Sequence, residues 1–207
     1  MDELSRRMVS IMYDPLSYIH PERMSLPKLF NTPRQRGIIN DMLIHQLELP
    51  VGLQPPTSIL ERQLVLNWMR LPYISTLIGA QLLKADLGWQ GNLLHLSSSV
   101  RNFISFRLSV AKRGSRHSKG MLEDVQKCGL QHLLLWQRQA SKVLKERMAL
   151  LFPPILDICF LEQDSPTLMS TEMYLPQPEE SAMECGKVNL FLILQAIQYA
   201  KNNSDDV

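Results

Sequence analysis

Cys128 and His132 stand four residues apart in a stretch of helical periodicity, a spacing that can set a thiolate and an imidazole on one metal ion. A metal needs further ligands, and no second pair is in sight. A buried thiol beside a helical histidine is the expected reading. With Cys159 and Cys185 the cysteines total three and lack CxxC spacing, so neither a disulfide framework nor a zinc ribbon is expected. Free thiols fit a reducing cytoplasm. No GxSxG elbow, HExxH helix or Walker loop occurs. Gly88-Trp89-Gln90-Gly91 has the outline of the GxxG loop of a KH domain, but that fold needs strands, and a tryptophan there suits packing better than phosphate contact. The glycines read as permitting a tight turn. No catalytic residue, cofactor or metal site is assigned, and no enzyme activity is expected.

Charge is more informative than any of these motifs. Between Leu87 and Leu122 there is no acid, while Arg101, Arg107, Lys112, Arg113, Arg116 and Lys119 supply six positive charges. From Asp157 to Glu184 there is no lysine or arginine against seven acids: Asp157, Glu162, Asp164, Glu172, Glu179, Glu180 and Glu184. Two solvated surfaces would account for this. Two docking faces of opposite sign would account for it too, steering different partners and setting their orientation. Phe103 and Phe106, near the basic residues, read as core-facing helix residues rather than base-stacking platforms. A net charge of +2 over 207 residues does not by itself imply a nucleic-acid binder.

The elements that must carry these residues are helices. With 45% hydrophobic and 20% charged residues the chain reads as globular, and its length suits a single domain, 1–207. Thr32-Pro33 reads as an N-cap and first helical residue, opening a helix to about Leu47. Ser58 with Glu61 forms a capping-box pattern. The helix after it puts Leu60, Leu64, Trp68 and Leu71 on one face. Pro72 then predicts a break or kink before Tyr73–Lys84. A further helix is expected from about Ser98 to Lys112, and a long helical stretch from about Leu122 to Leu151, with Gly129 as a possible interruption. The apolar stripe of that stretch is Leu133, Trp136, Ala140, Val143, Leu144, Met148 and Leu151, with Arg138, Lys142 and Lys145 on the solvated side. Pro153-Pro154 introduces a short helix, and residues 162–182 read as a mobile, acidic, Pro-rich loop. Ser181 and Glu184 form a second capping-box pattern before a closing helix whose apolar composition predicts an interior position. Its run Val188–Ala200 is broken by Asn189, Gln195 and Gln198 and falls short of a membrane span. The reading is all-α: one irregular helical bundle with a Pro-rich acidic loop before the C-terminal helix.

The segment Tyr13–Arg23, YDPLSYIHPER, is the most distinctive stretch. Pro15 and Pro21 push Asp14 and His20 out of regular helix. Tyr18 and Ile19 are then expected to bury apolar area, with the phenol needing a partner. This run resembles the start of the SctK (OrgA/MxiK) family, accessory proteins of bacterial type III secretion. RLPYISTLIG at 70–79, ADLGWQG at 85–91, ALLFPPILD at 149–157 with its Pro153-Pro154 pair, and ILQAIQYAKN at 193–202 are similar to family segments and follow in order.

The resemblance implies a non-enzymatic adaptor of the cytoplasmic sorting platform, at the cytoplasmic face of the inner membrane. Its partners would be the pod (switch-like) protein and the cytoplasmic domain of the inner-membrane ring protein. The stator and secretion ATPase would be reached indirectly, the membrane through partners alone, and nucleic acid not at all. On this reading Arg101, Arg107, Lys112, Arg113, Arg116 and Lys119 are candidates to bind a partner. Asp14, Pro15, Tyr18, His20, Pro21, Pro153 and Pro154 would be structural. The alternative is a helical regulator that binds nucleic acid through the basic 101–119 face.

Overall fold

In the computed structural model, residues 2–27, 30, 32–52, 55–56, 58–106, 108, 122–136, 142–164 and 179–203 are described, and the regular structure among them is helical, with no strand. In chain order the helices are α1 (Glu3–Tyr13), α2 (Pro33–Gln46), α3 (Ile59–Leu66), α4 (Leu71–Leu82), α5 (Lys84–Gly88), α6 (Ser98–Ser105), α7 (Leu122–Trp136), α8 (Lys142–Ala149), α9 (Asp157–Asp164) and α10 (Glu179–Asn202). Short 3-10 turns at Pro15–Ser17, Trp68–Arg70, Trp89–His95 and Pro154–Leu156 join some of them. The all-α expectation holds.

The chain divides into two compact units, one of Met1–Leu71 with Gln137–Leu161, the other of Pro72–Trp136 with Glu162–Val207. The first is built on α1, α2, α3, α8 and the start of α9. Its core includes Met8, Met12, Leu64, Trp68, Leu144, Met148 and Phe152. Local signals open its helices. The Thr32 hydroxyl accepts from the Gln35 N–H at 3.4 Å and the Thr32 N–H donates to Gln35 Oε1 at 3.2 Å, a complete capping box with Pro33 behind it. At Ser58 the Glu61 N–H donates to the hydroxyl at 3.0 Å. Helix α2 ends without glycine: Glu48 adopts φ 49°, and the Leu49 N–H reaches back to the Ile44 carbonyl at 2.9 Å in a Schellman closure.

The second unit packs α4 against α7 with backbone touching backbone. A Cβ placed on Gly79 would lie 1.8 Å from the Val125 carbonyl oxygen, and one on Gly129 would lie 1.8 Å from the Ser75 oxygen. The two helices meet in matched steps of four, Ser75 and Gly79 against Val125 and Gly129. The Ser75 hydroxyl donates to the Gln126 carbonyl at 3.1 Å across the contact. Gly129 is therefore not an interruption: it lies inside α7, and its missing side chain is what lets α4 approach. Helices α7 and α8 flank residues 137–141, which lie outside the described residues with Ala140 and Arg138.

Four other sequence expectations move. The break placed at Pro72 falls at Asn67 instead, and Pro72 sits in the first turn of α4, where its absent N–H has no partner to lose. The helix expected to reach Lys112 ends at Ser105, Phe106 being extended at φ −62°, ψ 133°. Helix α10 is already helical at Glu179, so Ser181 is not its N-cap. Nor is α10 interior on most sides along 190–202, its described side chains. Leu192, Ile193, Ala196, Ile197 and Ala200 are buried, while Phe191 and Leu194 are exposed at 53% and 38%. Of the 162–182 segment, α9 covers residues through Asp164 and α10 begins at Glu179, and residues 165–178 lie outside the described residues.

The contact between α4 and α7 yields a test. Gly79→Ala and Gly129→Ala should each lower the unfolding free energy by about 3 kcal/mol, because the added carbon meets rigid backbone rather than a movable side chain. Gly37→Ala, on the open face of α2 with nothing within 4 Å, should gain up to about 1 kcal/mol from helix propensity. Urea unfolding of the three variants checks this; equal stability of all three would remove the close crossing.

Candidate functional site

The Tyr13–Arg23 segment is a knot tied on all sides within its unit. Helix α1 stops at Asp14, the buried Pro15 opens a 3-10 turn, and Tyr18 swings into the core at 5% exposure. The Tyr18 hydroxyl donates to the Ile11 carbonyl at 2.8 Å, and its ring stands edge-on to Trp68 at 5.9 Å. Asn40, buried on α2, clamps the turn from the other side. Its amide donates to Asp14 Oδ1 at 2.7 Å and its oxygen accepts from the Leu16 N–H at 2.9 Å. Arg36 adds an ion pair to Asp14 at 3.7 Å. Further on, the His20 N–H donates to the Leu150 carbonyl at 2.8 Å. Arg23 donates through Nε to the Phe152 carbonyl at 2.7 Å and forks onto both carboxylate oxygens of Asp157. Asp14 and His20 are outside helix, as their prolines predict, and Pro153 is extended ahead of the turn that Pro154 begins. Tyr18 is buried as expected, Ile19 only partly, and Tyr13 is 51% exposed.

Beneath this knot lies a residue the sequence reading passed over. Arg147 on α8 is fully buried, and its guanidinium donates to the Pro50 carbonyl at 2.9 Å and the Met12 carbonyl at 3.2 Å. Burial pushes its pKa down, with the nearby Tyr18 working in the opposite sense. Burial likewise pushes the Tyr18 phenol well above its ordinary value, and the Arg147 charge counters part of that rise. A signal for Arg147 was present: it falls three after Leu144 and four after Val143, inside the apolar stripe and opposite Lys142 and Lys145. Asn40 had no comparable signal, because its role depends on the turn that meets it.

Among the described residues, no three His, Cys, Asp or Glu side chains are grouped to hold a metal ion. His132 is buried and Cys128 half-buried on α7. No helix among the described residues is long and apolar enough to cross a membrane. Of the proposed basic face, Arg101 lies exposed on α6, whereas Arg107, Lys112, Arg113, Arg116 and Lys119 lie outside the described residues.

Two apolar surfaces are present among the described residues. On α2 the pattern is inverted: Asn40 and Leu43 face inward while Ile38 and Met42 are 54% and 60% exposed. Beside them runs a groove of about 470 Å³ lined by Tyr13, Asp41, Ile44, His45, Glu48, Leu49 and Val51. Glu48, in its left-handed conformation, forms part of that groove's wall. In the second unit a groove of about 400 Å³ runs along α10 past α6, with Phe103, Phe106, Phe191 and Tyr199 among its lining. Phe103 is buried as expected for a helix residue, but Phe106 lies past the end of α6 and is 52% exposed. Exposed apolar grooves of this kind can accept apolar groups of a ligand or of another protein.

The knot predicts an alkaline weakness. Because the folded Tyr18 pKa lies above the unfolded value of 10.0, the folded state keeps its proton when the unfolded state loses it, and stability should fall as pH rises past 10. Tyr18→Phe should abolish that fall while costing about 1 kcal/mol at neutral pH for the lost hydrogen bond. Tyr18→Ala should cost on the order of 3 kcal/mol. Thermal unfolding across pH 7 to 11 reads both effects; an unchanged alkaline slope in Tyr18→Phe would locate the sensitivity elsewhere.

Comparison with known proteins agrees with the motif order. The family model described as "Bacterial type III secretion apparatus protein (OrgA_MxiK)" matches residues 8–202. The chain is 29% identical over 203 residues, 95% of its length and 88% of the relative's, to the oxygen-regulated invasion protein OrgA of Salmonella typhimurium. It is 29% identical over 156 residues, 75% of its length and 78% of the relative's, to protein MxiK of Shigella flexneri. No solved structure gives a significant match. With nearly the whole chain covered, from the Met8 turn of α1 to the last residue of α10, this protein belongs to the OrgA_MxiK family of bacterial type III secretion apparatus proteins.

Proposed function

We propose that this chain is a non-enzymatic adaptor of the cytoplasmic sorting platform, bridging the cytoplasmic domain of the inner-membrane ring protein and the pod protein beneath it, and thereby supporting effector secretion. One observation carries the reading. Helix α2 turns an asparagine inward and leaves Ile38 and Met42 in solvent, against the amphipathic rule that most helices obey. The asparagine is needed to clamp the Asp14 turn, and the cost of exposing two large apolar side chains is recovered when a partner covers them. Such exceptions to local patterning concentrate at functional surfaces.

A bridge needs two surfaces, and each compact unit carries one: the α2 face with its groove in the first, the aromatic groove along α10 in the second. The basic residues Arg101, Arg107, Lys112, Arg113, Arg116 and Lys119 belong on this proposal to electrostatic steering toward an acidic partner surface. Asp14, Pro15, Tyr18, His20, Pro21, Pro153 and Pro154 serve the frame that presents α2. The adaptor works in the cytoplasm and reaches the inner membrane through the ring protein.

Ile38→Glu with Met42→Glu should leave unfolding within about 0.5 kcal/mol of the parent, since both side chains are exposed. It should nevertheless weaken co-purification with an apparatus protein about tenfold or more and reduce secretion in parallel. Reversing Arg113, Arg116 and Lys119 to Glu should slow association, most at low salt. Normal platform assembly and secretion in both variants would overturn the adaptor reading. Salt-sensitive binding of nucleic acid, lost on the triple reversal, would favour the nucleic-acid regulator instead.

A further inference from the structure

We propose that the groove beside α2 receives a basic segment of a partner protein, an apolar side chain seated between two cations that meet Asp41 and Glu48. This deepens the adaptor reading and rests on it. The apolar part of the groove comes from three stretches of the first unit: Tyr13 at the end of α1, Ile44 on α2, and Leu49 and Val51 in the chain that follows. Leu49 is buried, whereas Tyr13 and Val51 are exposed and leave apolar area open.

Charge indicates what covers it. Asp41 and Glu48 both line the groove, both are exposed, and neither is in an ion pair with a described residue. No lysine or arginine is among the described lining residues. The cations nearby are otherwise placed. Arg36 on α2 is turned to Asp14 at 3.7 Å. Arg147, which reaches the Pro50 carbonyl from the core, is fully buried. Arg34 precedes Asp41 by seven residues, about 10 Å along the helix. The lining thus carries two carboxylates and a histidine beside its apolar residues. A lysine or arginine that enters gains charge-assisted hydrogen bonds to carboxylate oxygens that no described group already holds.

The backbone draws attention to Glu48 on separate grounds. Among the described residues it is the one non-glycine position with a positive φ, 49°. Glycine closes a helix there without strain. A glutamate is the costlier choice, and what it adds over glycine is a carboxylate on the groove wall. Asp41 and Glu48 are seven residues apart, about two helical turns or 10 Å, which sets the separation of the two cations. Other occupants fit less well. Nucleic acid and anionic lipid would bring phosphates against two carboxylates with no lining lysine or arginine to offset them. A neutral apolar segment would cover both carboxylates in part and leave them unpaired, a desolvation cost that a basic segment removes.

The test uses the full chain with the purified pod protein and the purified cytoplasmic domain of the ring protein as probes. A photo-crosslinking phenylalanine in place of Tyr13 should join one of them at a segment with Lys or Arg on both sides of an apolar residue. Asp41→Asn with Glu48→Gln should weaken that association about tenfold at low salt and less at high salt. Asp41→Lys with Glu48→Lys should weaken it further, and reversing the two cations of the crosslinked segment to Glu should restore it. Val51→Ser should weaken it at every salt concentration. All four positions are exposed, so the thermal unfolding midpoint should hold, which separates lost binding from lost folding. The proposal is overturned if both charge pairs bind like the parent, if the reversed partner restores nothing, or if the crosslink falls on an acidic or neutral segment. A crosslink to the 101–119 region of this chain, in the same or a second copy, overturns it equally. If neither probe binds the parent chain at all, the adaptor reading fails and takes this proposal with it. If Ile38→Glu with Met42→Glu loses a partner while the groove pairs do not, only the groove proposal falls.

Discussion

Two backbone carbonyls, those of Met12 and Pro50, are left at chain positions where no helix supplies a donor, and Arg147 reaches both from the core. A fully buried guanidinium is a costly group unless its donors are matched, and here it fixes the end of α1 and the chain after α2 to α8. The turn above it depends on that anchor. Tyr18 packs over the same charge, Asn40 closes the far side, and Arg23 ties the continuing chain to Phe152 and Asp157. The two guanidinium bonds, with those of Tyr18, Asn40 and Arg23, specify one path for the chain, although Arg147 Nε is buried without a hydrogen-bond partner.

The second unit is held by a different constraint, the absence of side chains. Ser75, Gly79 and Gly129 let α4 and α7 approach until carbonyl oxygens occupy the space where Cβ atoms would be. Such a contact tolerates no substitution that adds volume, because the neighbouring atoms are main chain. With Leu192, Ile193, Ala196 and Ile197 filling the core, Phe191 and Leu194 on α10 have no interior site left and remain at the surface.

Both units thus satisfy their interiors by means that leave apolar residues outside. In the first, the need for Asn40 at the turn rotates α2 so that Ile38 and Met42 face solvent. In the second, Phe106 lies past the end of α6, its ring against Tyr199 and half its surface open. Methionines follow the same division: Met8, Met12 and Met148 fill the core, while Met42 and Met69 stay at the surface. On the adaptor reading proposed above, this exposed apolar surface is what a partner would cover.

The sequence by itself determined what is local. Helical periodicity, the Thr32-Pro33 and Ser58 caps, the prolines that expel Asp14 and His20 from helix, and the family resemblance all follow from residues near one another in the chain. Tertiary structure decided what depends on distant partners. Pro72 read as a break or kink, yet it lies in the first turn of α4 and the break falls at Asn67, beside the buried Trp68 and Leu71. Gly129 looked like an interruption because the helix it must admit, α4, is fifty residues away. Arg147 lay in the apolar stripe, yet its burial needed two carbonyls from elsewhere in the chain. The exposed faces of α2 and α10 were the least legible of all, since an apolar residue in a helix is written the same way whether it meets the core or a partner, and only the occupied interior separates the two.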